Sequence, residues 1–396
     1  MPDAVIVSTA RTPIGRANKG TLVDVDAFEL AQHAVVAALR RSGLDPAQVD
    51  DMVIAETLYG GGVVARYIAI EAGIEHVPGA AVNRHCAAGL TAVTTAAGSI
   101  RAGMDRVVIA GGTHSMSTSP RSLRRKIGTN DWADWMSPSH RNTPAAPNLD
   151  MSITVGWNAA VEAGVSRGEM DAWAARSHQR AVTGIDKGAF EAEIAPIEVK
   201  RADGSTTLFT TDEHPRRGTT VDALAALPPL HPEIEGFSIT AGNSSGLNDG
   251  AAAMVLTDDA TARAYGVEPL AIVRAWASAG VAPERTGLAP TVAIPKALAR
   301  AGLSIHDIDL WELNEAFASM CVGTCKVLGI DDERVNVLGS GCSLGHPIAM
   351  TGARMVITLV HELRRRGGGT GVATMCAGGG MSTAIVLDVL APAAGR

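Results

Sequence analysis

Residues 38 to 56 read Ala38-Leu39-Arg40-Arg41-Ser42-Gly43-Leu44-Asp45-Pro46-Ala47-Gln48-Val49-Asp50-Asp51-Met52-Val53-Ile54-Ala55-Glu56, and the pattern returns 259 residues later. The second copy, residues 297 to 315, reads Ala297-Leu298-Ala299-Arg300-Ala301-Gly302-Leu303-Ser304-Ile305-His306-Asp307-Ile308-Asp309-Leu310-Trp311-Glu312-Leu313-Asn314-Glu315, without a gap. Each copy is the end of an amphipathic helix, a glycine stop, a short capped turn and an apolar strand that runs into a glutamate. A further pair, Val107-Val108-Ile109-Ala110-Gly111-Gly112 and Val372-Ala373-Thr374-Met375-Cys376-Ala377-Gly378-Gly379, reads as buried strands entering glycine turns. Several matches in the same order indicate an internal duplication. Strands alternating with helices predict βαβ units, a mostly parallel sheet in each half and helices on both faces.

Between the halves the composition changes. Residues 118 to 246 are rich in Ser, Pro, Arg and Trp, and long segments of this kind are usually functional lids or interaction arms. The expected division is a first half of residues 1–117 and 247–267, an inserted segment of residues 118–246, and a second half of residues 268–396.

A chain of 396 residues exceeds the size at which one hydrophobic core stops growing. Its 46% hydrophobic content with only 4% aromatics, and its 43 glycines, fit an α/β enzyme and exclude a disulfide scaffold or a disordered chain. The net charge of −7 argues against nucleic acid as the main partner, which would need a broad basic surface. The five cysteines, Cys86, Cys321, Cys325, Cys342 and Cys376, are odd in number and lack paired spacings, so neither disulfides nor a structural zinc site is expected. No secretory signal follows the N-terminus, no apolar run reaches membrane-spanning length, and Ala394-Gly395-Arg396 is no targeting signal. The cytoplasm is the expected location.

Four segments carry chemistry. Asn83-Arg84-His85-Cys86-Ala87-Ala88-Gly89-Leu90 opens an uncharged stretch that extends to residue 100; Cys86 is expected in the first turn of a buried helix, where the dipole would lower its pKa. Gly339-Ser340-Gly341-Cys342-Ser343-Leu344-Gly345-His346-Pro347 holds a candidate base on a glycine-rich loop. His346 lies 260 residues after Cys86, close to the repeat offset, so the two occupy equivalent loops that a pseudo-twofold packing would bring face to face. Met375-Cys376-Ala377-Gly378-Gly379-Gly380 ends a strand in backbone N–H groups suited to an oxyanion hole. In Leu313-Asn314-Glu315-Ala316-Phe317, Asn314 can orient a water or donate to an oxygen, while Glu315 is either a helix cap or a catalytic group.

Together these segments, with Ala10-Arg11-Thr12-Pro13-Ile14-Gly15 near the start, resemble the signature set of the thiolases, the acetyl-CoA acyltransferases, over nearly the whole chain. The resemblance implies a βαβαβαββ layout in each half, a five-layered α/β/α/β/α core, and an insertion that binds CoA. It implies Cys86 as nucleophile and His346 as the group that takes its proton. Cys376 would be the acid or base at the enolate carbon. Asn314 and His346 would face the enolate oxygen, and the N–H groups of Cys86 and Gly378 would face the other oxyanion. CoA would be a co-substrate with no permanently bound cofactor, Arg216 meeting its nucleotide and Ser245 its pantetheine. The family is usually dimeric or tetrameric.

Two departures bear on the substrate. Ile348-Ala349-Met350 follows the His-Pro pair where the family often has Gly-Ala, and the stretch Asp150-Met151-Ser152-Ile153-Thr154-Val155-Gly156-Trp157 lacks the His-Met pair of short-chain biosynthetic members. The missing His-Met pair leans toward a degradative enzyme acting on an acyl group longer or bulkier than acetoacetyl. The competing readings are a biosynthetic acetoacetyl-CoA thiolase, a decarboxylating ketoacyl synthase and a non-catalytic lipid carrier. The second cysteine, Cys376, disfavours the synthase.

Overall fold

The computed structural model describes residues 2–59, 63–201 and 204–393; the terminal Ala394-Gly395-Arg396 lies outside the described residues. The duplicated stretch folds alike in both places. Helix α1 (Ala27–Ser42) is capped by the Asp26 carboxylate and stopped by Gly43 at φ 69°; a 3-10 turn (Pro46–Gln48) then leads to strand β2 (Asp51–Ala55). In the second copy the helix Pro290–Ala301 starts on a proline and stops at Gly302, also at φ 69°, before the turn Ile305–Asp307 and the strand Leu310–Leu313. Glycine is the residue that adopts this left-handed conformation without a Cβ penalty.

The remaining elements of the first half are β1 (Ala4–Arg11), α2 (Val63–Glu71), β3 (Ala80–Val82), α3 (Ala88–Arg101), β4 (Val107–Ser115) and β5 (Asn248–Asp258). A 20-residue helix, α4 (Arg167–Asp186), lies in the chain between β4 and β5. The second half comprises β6 (Ala271–Gly280), α5 (Pro290–Ala301), β7 (Leu310–Leu313), α6 (Ala318–Leu328), α7 (Thr351–Arg365), β8 (Gly369–Ala377) and β9 (Met381–Val389).

These strands form one sheet in the order β7-β8-β9-β6-β1-β5-β4-β2-β3. The halves meet at a short junction where Val5 and Ile6 pair with Ile272 and Ala271. The expectation of a mostly parallel sheet in each half is corrected: among the described strands of this sheet only the β2 pairs with β3 and β4, and β7 with β8, run parallel. The β4–β5, β5–β1, β8–β9 and β9–β6 pairs are antiparallel. In the second half β8 turns straight back into β9, and a direct return makes an antiparallel pair; in the first half β5 takes the equivalent place beside β4 after the chain returns from residues 118–246.

Three apolar cores follow from this layout. Helices α1 and α2 cover the outer face of the first half. Helices α5 and α6, with part of the insertion, cover the outer face of the second. Between the halves α3 and α7 pack on each other and on both inner faces, giving five layers. The contact between α3 and α7 is close because both carry glycine there: a Cβ on Gly89 would lie 2.8 Å from the Ala349 carbonyl oxygen, and one on Gly352 would lie 2.4 Å from the Leu90 nitrogen. The expected glycine turn at Gly111-Gly112 is instead the middle of β4, where a Cβ on Gly112 would lie 2.1 Å from the Ala349 oxygen.

Candidate active site

The loop before α3 is wound tightly. The Asn83 side-chain oxygen accepts from the His85 N–H at 2.9 Å, and His85 sits at φ 46°, a conformation rare outside glycine that a side-chain-supported turn can hold. Cys86 follows, and the helix proper begins at Ala88, two residues later than expected. Cys86 is half-buried. Desolvation pushes its thiol up to about 11, while the backbone N–H groups of Gly378 and of Cys86 itself are directed at the sulfur and act in the opposite sense. The expectation of a lowered pKa is therefore corrected: loss of water around the sulfur outweighs these two N–H groups.

Cys376 lies near the end of β8 and is buried, with its Sγ 3.4 Å from the Met320 sulfur. Burial pushes this thiol far upward, and the charge of Cys86 adds to the shift, so the two sulfurs are within electrostatic reach. In the turn after β8, Gly379 and Gly380 have φ of 86° and 77°, and a Cβ on Gly380 would stand 2.1 Å from the Val281 oxygen. Gly378 has no such steric need. A Cβ there would meet Met151, His85 and Ser139 at ordinary contact distances of 3.8 to 3.9 Å, so these three side chains line the space around Gly378.

His346 is buried and held on three sides. Its backbone N–H donates to Asn248 Oδ1 at 3.1 Å, its Nδ1 is 2.7 Å from Thr351 Oγ1, and its Nε2 faces Asn314 Nδ2 at 3.4 Å. Burial, then the charges of His114 and Arg354, lower its pKa to about 3, so the imidazole is neutral at ordinary pH. Asn314 is fully buried, and its Oδ1 has no hydrogen-bond partner among the described residues. An unpaired buried carbonyl oxygen is costly, and here it belongs to the amide whose Nδ2 faces the histidine.

Glu315 is neither a cap nor a proton-transfer group in this arrangement. Its Oε1 accepts from Trp173 Nε1 and Asn336 Nδ2, each at 2.9 Å. Its Oε2 accepts from Ser177 Oγ at 2.6 Å and from the Cys342 N–H at 3.0 Å. Every lone-pair direction is therefore occupied, and the carboxylate ties α4 of the insertion to the loop that carries His346. Arg11 does the same for the first half: fully buried, it makes a two-pronged pair with Asp212 and a 3.0 Å contact with Glu193. Desolvation alone would lower its pKa, but the two carboxylates carry it above the ordinary value.

The segments expected to meet CoA adjoin this centre. Asn248, whose Oδ1 receives the His346 N–H, turns its Nδ2 toward the Gly15 carbonyl oxygen and His214. The His214 ring also crowds Gly246, where a Cβ would lie 2.2 Å from it. Arg216 is exposed; its backbone N–H donates to His178 Nδ1 at 3.1 Å, and its charge helps depress both His178 and His214. Ser245 is half-buried, and its backbone N–H donates to the Ala316 oxygen at 2.9 Å, beside Asn314 and Glu315. The basic run 121–126 is solvated, with Arg121 paired to Asp134 across a small exposed hairpin. Among the described residues no three His, Cys, Asp or Glu side chains are placed to hold a metal ion, and no helix is long and apolar enough to cross a membrane.

Two residues of this centre were not singled out from the sequence. Asn248 had no local signal, being simply the first residue of β5. Thr351 did have one: it follows His346 by five positions, as Thr91 follows Cys86.

The chain matches two family descriptions in succession, the thiolase N-terminal domain over residues 4–260 and the thiolase C-terminal domain over residues 267–389. It is 41% identical to an acetyl-CoA acetyltransferase of Pseudomonas aeruginosa, covering 98% of this chain and 99% of that one. It is 40% identical to a 3-ketoacyl-CoA thiolase of Bacillus subtilis, covering 98% and 100%. The crystal structure of human mitochondrial 3-ketoacyl-CoA thiolase superposes with a TM-score of 0.90 at 35% identity, covering 98% of this chain and 99% of that chain. With duplicated halves, a close helix pair between them and matches along its whole length, the chain belongs to the thiolase family.

Proposed function

We propose that this protein cleaves 3-oxoacyl-CoA with CoA, and runs the reverse condensation, through an acyl group carried on Cys86. As a thiolase the chain is an acyltransferase, and cleavage or condensation of this kind is the general reaction. His346 Nε2 takes the Cys86 proton, and the thiolate attacks the 3-oxo carbon. The bond between the 2- and 3-carbons then breaks, its electron pair passing into the acetyl-CoA enolate, whose oxygen faces Asn314 and His346. Cys376 supplies the proton that completes acetyl-CoA. The acyl-Cys86 carbonyl oxygen faces the N–H groups of Cys86 and Gly378 while the thiol of CoA, giving its proton to the Cys376 thiolate, attacks; the shortened acyl-CoA is released and the Cys86 sulfur takes its proton back from His346. Covalent catalysis divides one difficult cleavage into two acyl transfers, and each oxyanion donor is worth roughly 3–4 kcal/mol.

The observation that carries this reading is that the turn after Cys376 reaches the Cys86 loop, Gly378 standing within contact distance of His85, while His346 Nε2 faces Asn314. Residues 118–246 act as the arm that holds CoA, with Arg216 near its nucleotide and Ser245 near its pantetheine, on a cytoplasmic homodimer or homotetramer. The acyl groups are longer or bulkier than acetoacetyl. The test is incubation of the enzyme with a chain-length series of 3-oxoacyl-CoA, with and without CoA, followed by mass spectrometry of the intact protein. An acyl adduct on Cys86 that vanishes on adding CoA is expected. Full turnover by Cys86→Ala, or no adduct at any chain length, would refute the reading.

A further inference from the structure

Five residues after Cys86 stands Thr91, and five after His346 stands Thr351. Both hydroxyls make the same local contact: Thr91 Oγ1 is 2.9 Å from the Ala87 oxygen and Thr351 Oγ1 is 2.9 Å from the Pro347 oxygen. Each threonine has one second partner. For Thr91 it is the Arg84 guanidinium, at 3.0 Å, and for Thr351 it is His346 Nδ1, at 2.7 Å.

The direction of the first pair is fixed by chemistry. A guanidinium only donates, so Thr91 accepts from Arg84 and its own proton goes to the Ala87 carbonyl. The equivalent threonine of the other half has the same carbonyl at the same distance. Its proton goes to Pro347, and its lone pair is what it presents to the imidazole.

We infer that Thr351 is a positioning residue: by accepting from His346 Nδ1–H it selects the tautomer whose unprotonated nitrogen is Nε2, the nitrogen beside Asn314. In a neutral imidazole one nitrogen donates and the other accepts, and the partner of the first decides which is free for chemistry. The Asn314 amide agrees with this assignment, since its Nδ2 is a donor and faces Nε2 at 3.4 Å. The opposite tautomer would need the Thr351 proton turned to Nδ1 and the Asn314 amide reversed. Thr351 touches no substrate in this scheme and acts through His346.

The inference rests on His346 being the base, but its first test does not. Nitrogen NMR of the full chain labelled with 15N-histidine, with the His346 signals identified by their loss in His346→Gln, reads the tautomer directly. The Nδ1–H form is expected; a dominant Nε2–H form in the unsubstituted protein would overturn the inference, whatever the activity. Thr351→Val should then lower kcat by 10-fold or more with KM within about twofold and populate the Nε2–H form, while Thr351→Ser restores both readings. Unchanged kcat and tautomer in Thr351→Val would also overturn it. Failure of the functional reading itself looks different: His346→Gln would then retain turnover, with the tautomer as expected.

Discussion

The indole N–H of Trp173 donates to the carboxylate of Glu315 at 2.9 Å, joining the inserted segment to the second half one residue from Asn314. This buried carboxylate satisfies four donors at once, so the residues around it share one network. Networks of this kind lose more on breaking than any single pair suggests.

Glu315→Ala should therefore cost roughly 3–5 kcal/mol of stability, in the range for removing one partner from a buried charged network. Trp173→Phe removes one donor and keeps most of the packing, and should cost roughly 1–2 kcal/mol. Urea unfolding followed by circular dichroism measures both. Equal losses for the two variants would mean that the ring packing, not the hydrogen-bonded carboxylate, is what counts.

The two glycines at 378 and 380 should respond differently to alanine. Gly380→Ala forces a left-handed residue against the Val281 oxygen and should destabilise by roughly 2–3 kcal/mol. Gly378→Ala meets only ordinary contacts and should stay within about 0.5 kcal/mol of the parent, while its methyl enters the space beside Cys86 and lowers kcat/KM. Thermal unfolding and steady-state kinetics on both variants check this pairing. A stable Gly380→Ala would contradict the steric argument.

Asn314→Ala should lower kcat about 10²- to 10³-fold, the usual effect of losing one oxyanion-stabilising donor. Stability should change little in comparison, because its buried Oδ1 has no protein partner to lose. The comparison of kcat with the unfolding midpoint separates the two effects. A large fall in the midpoint with kcat preserved would assign Asn314 to the core instead.

Stability should fall steeply below about pH 6.5. Burial holds His114 and His178 at about 4 and His214 and His346 at about 3, against roughly 6.5 in the unfolded chain. Between those limits the unfolded state binds the extra protons, so stability present above 6.5 is lost as pH falls toward 3, at roughly 1.4 kcal/mol per pH unit for each imidazole. At the alkaline end the sign reverses: Cys86, raised to about 11, favours the fold below about 8.5 and ceases to do so as pH climbs through 11. Denaturant unfolding across pH 4 to 10 measures both limbs; a flat profile from pH 6.5 to 5 would show that these imidazoles are solvated.

Features with a short repeat distance were legible from the chain alone. Gly43 and Gly302 end their helices at the same φ because glycine after an amphipathic run is a local signal. Glu315 was not legible, since its donors Trp173, Ser177, Asn336 and Cys342 come from three separate stretches. Ladder direction was also missed: apolar strands look alike whether their neighbours run parallel or antiparallel. For Cys86 the local cue, a helix start, pointed to a lowered pKa, and burial by distant residues reversed the sign.

The amino-acid order by itself determined the duplication, the helix–turn–strand units and the residues able to do thiol and imidazole chemistry, because each depends on neighbours within a few turns of chain. Which groups meet was decided only in three dimensions. Packing α3 on α7 through Gly89 and Gly352 brings the two repeats together. Desolvation and electrostatic coupling depend on that separation in space and not on distance along the chain, so the protonation of Cys86, Cys376 and His346 had no one-dimensional counterpart.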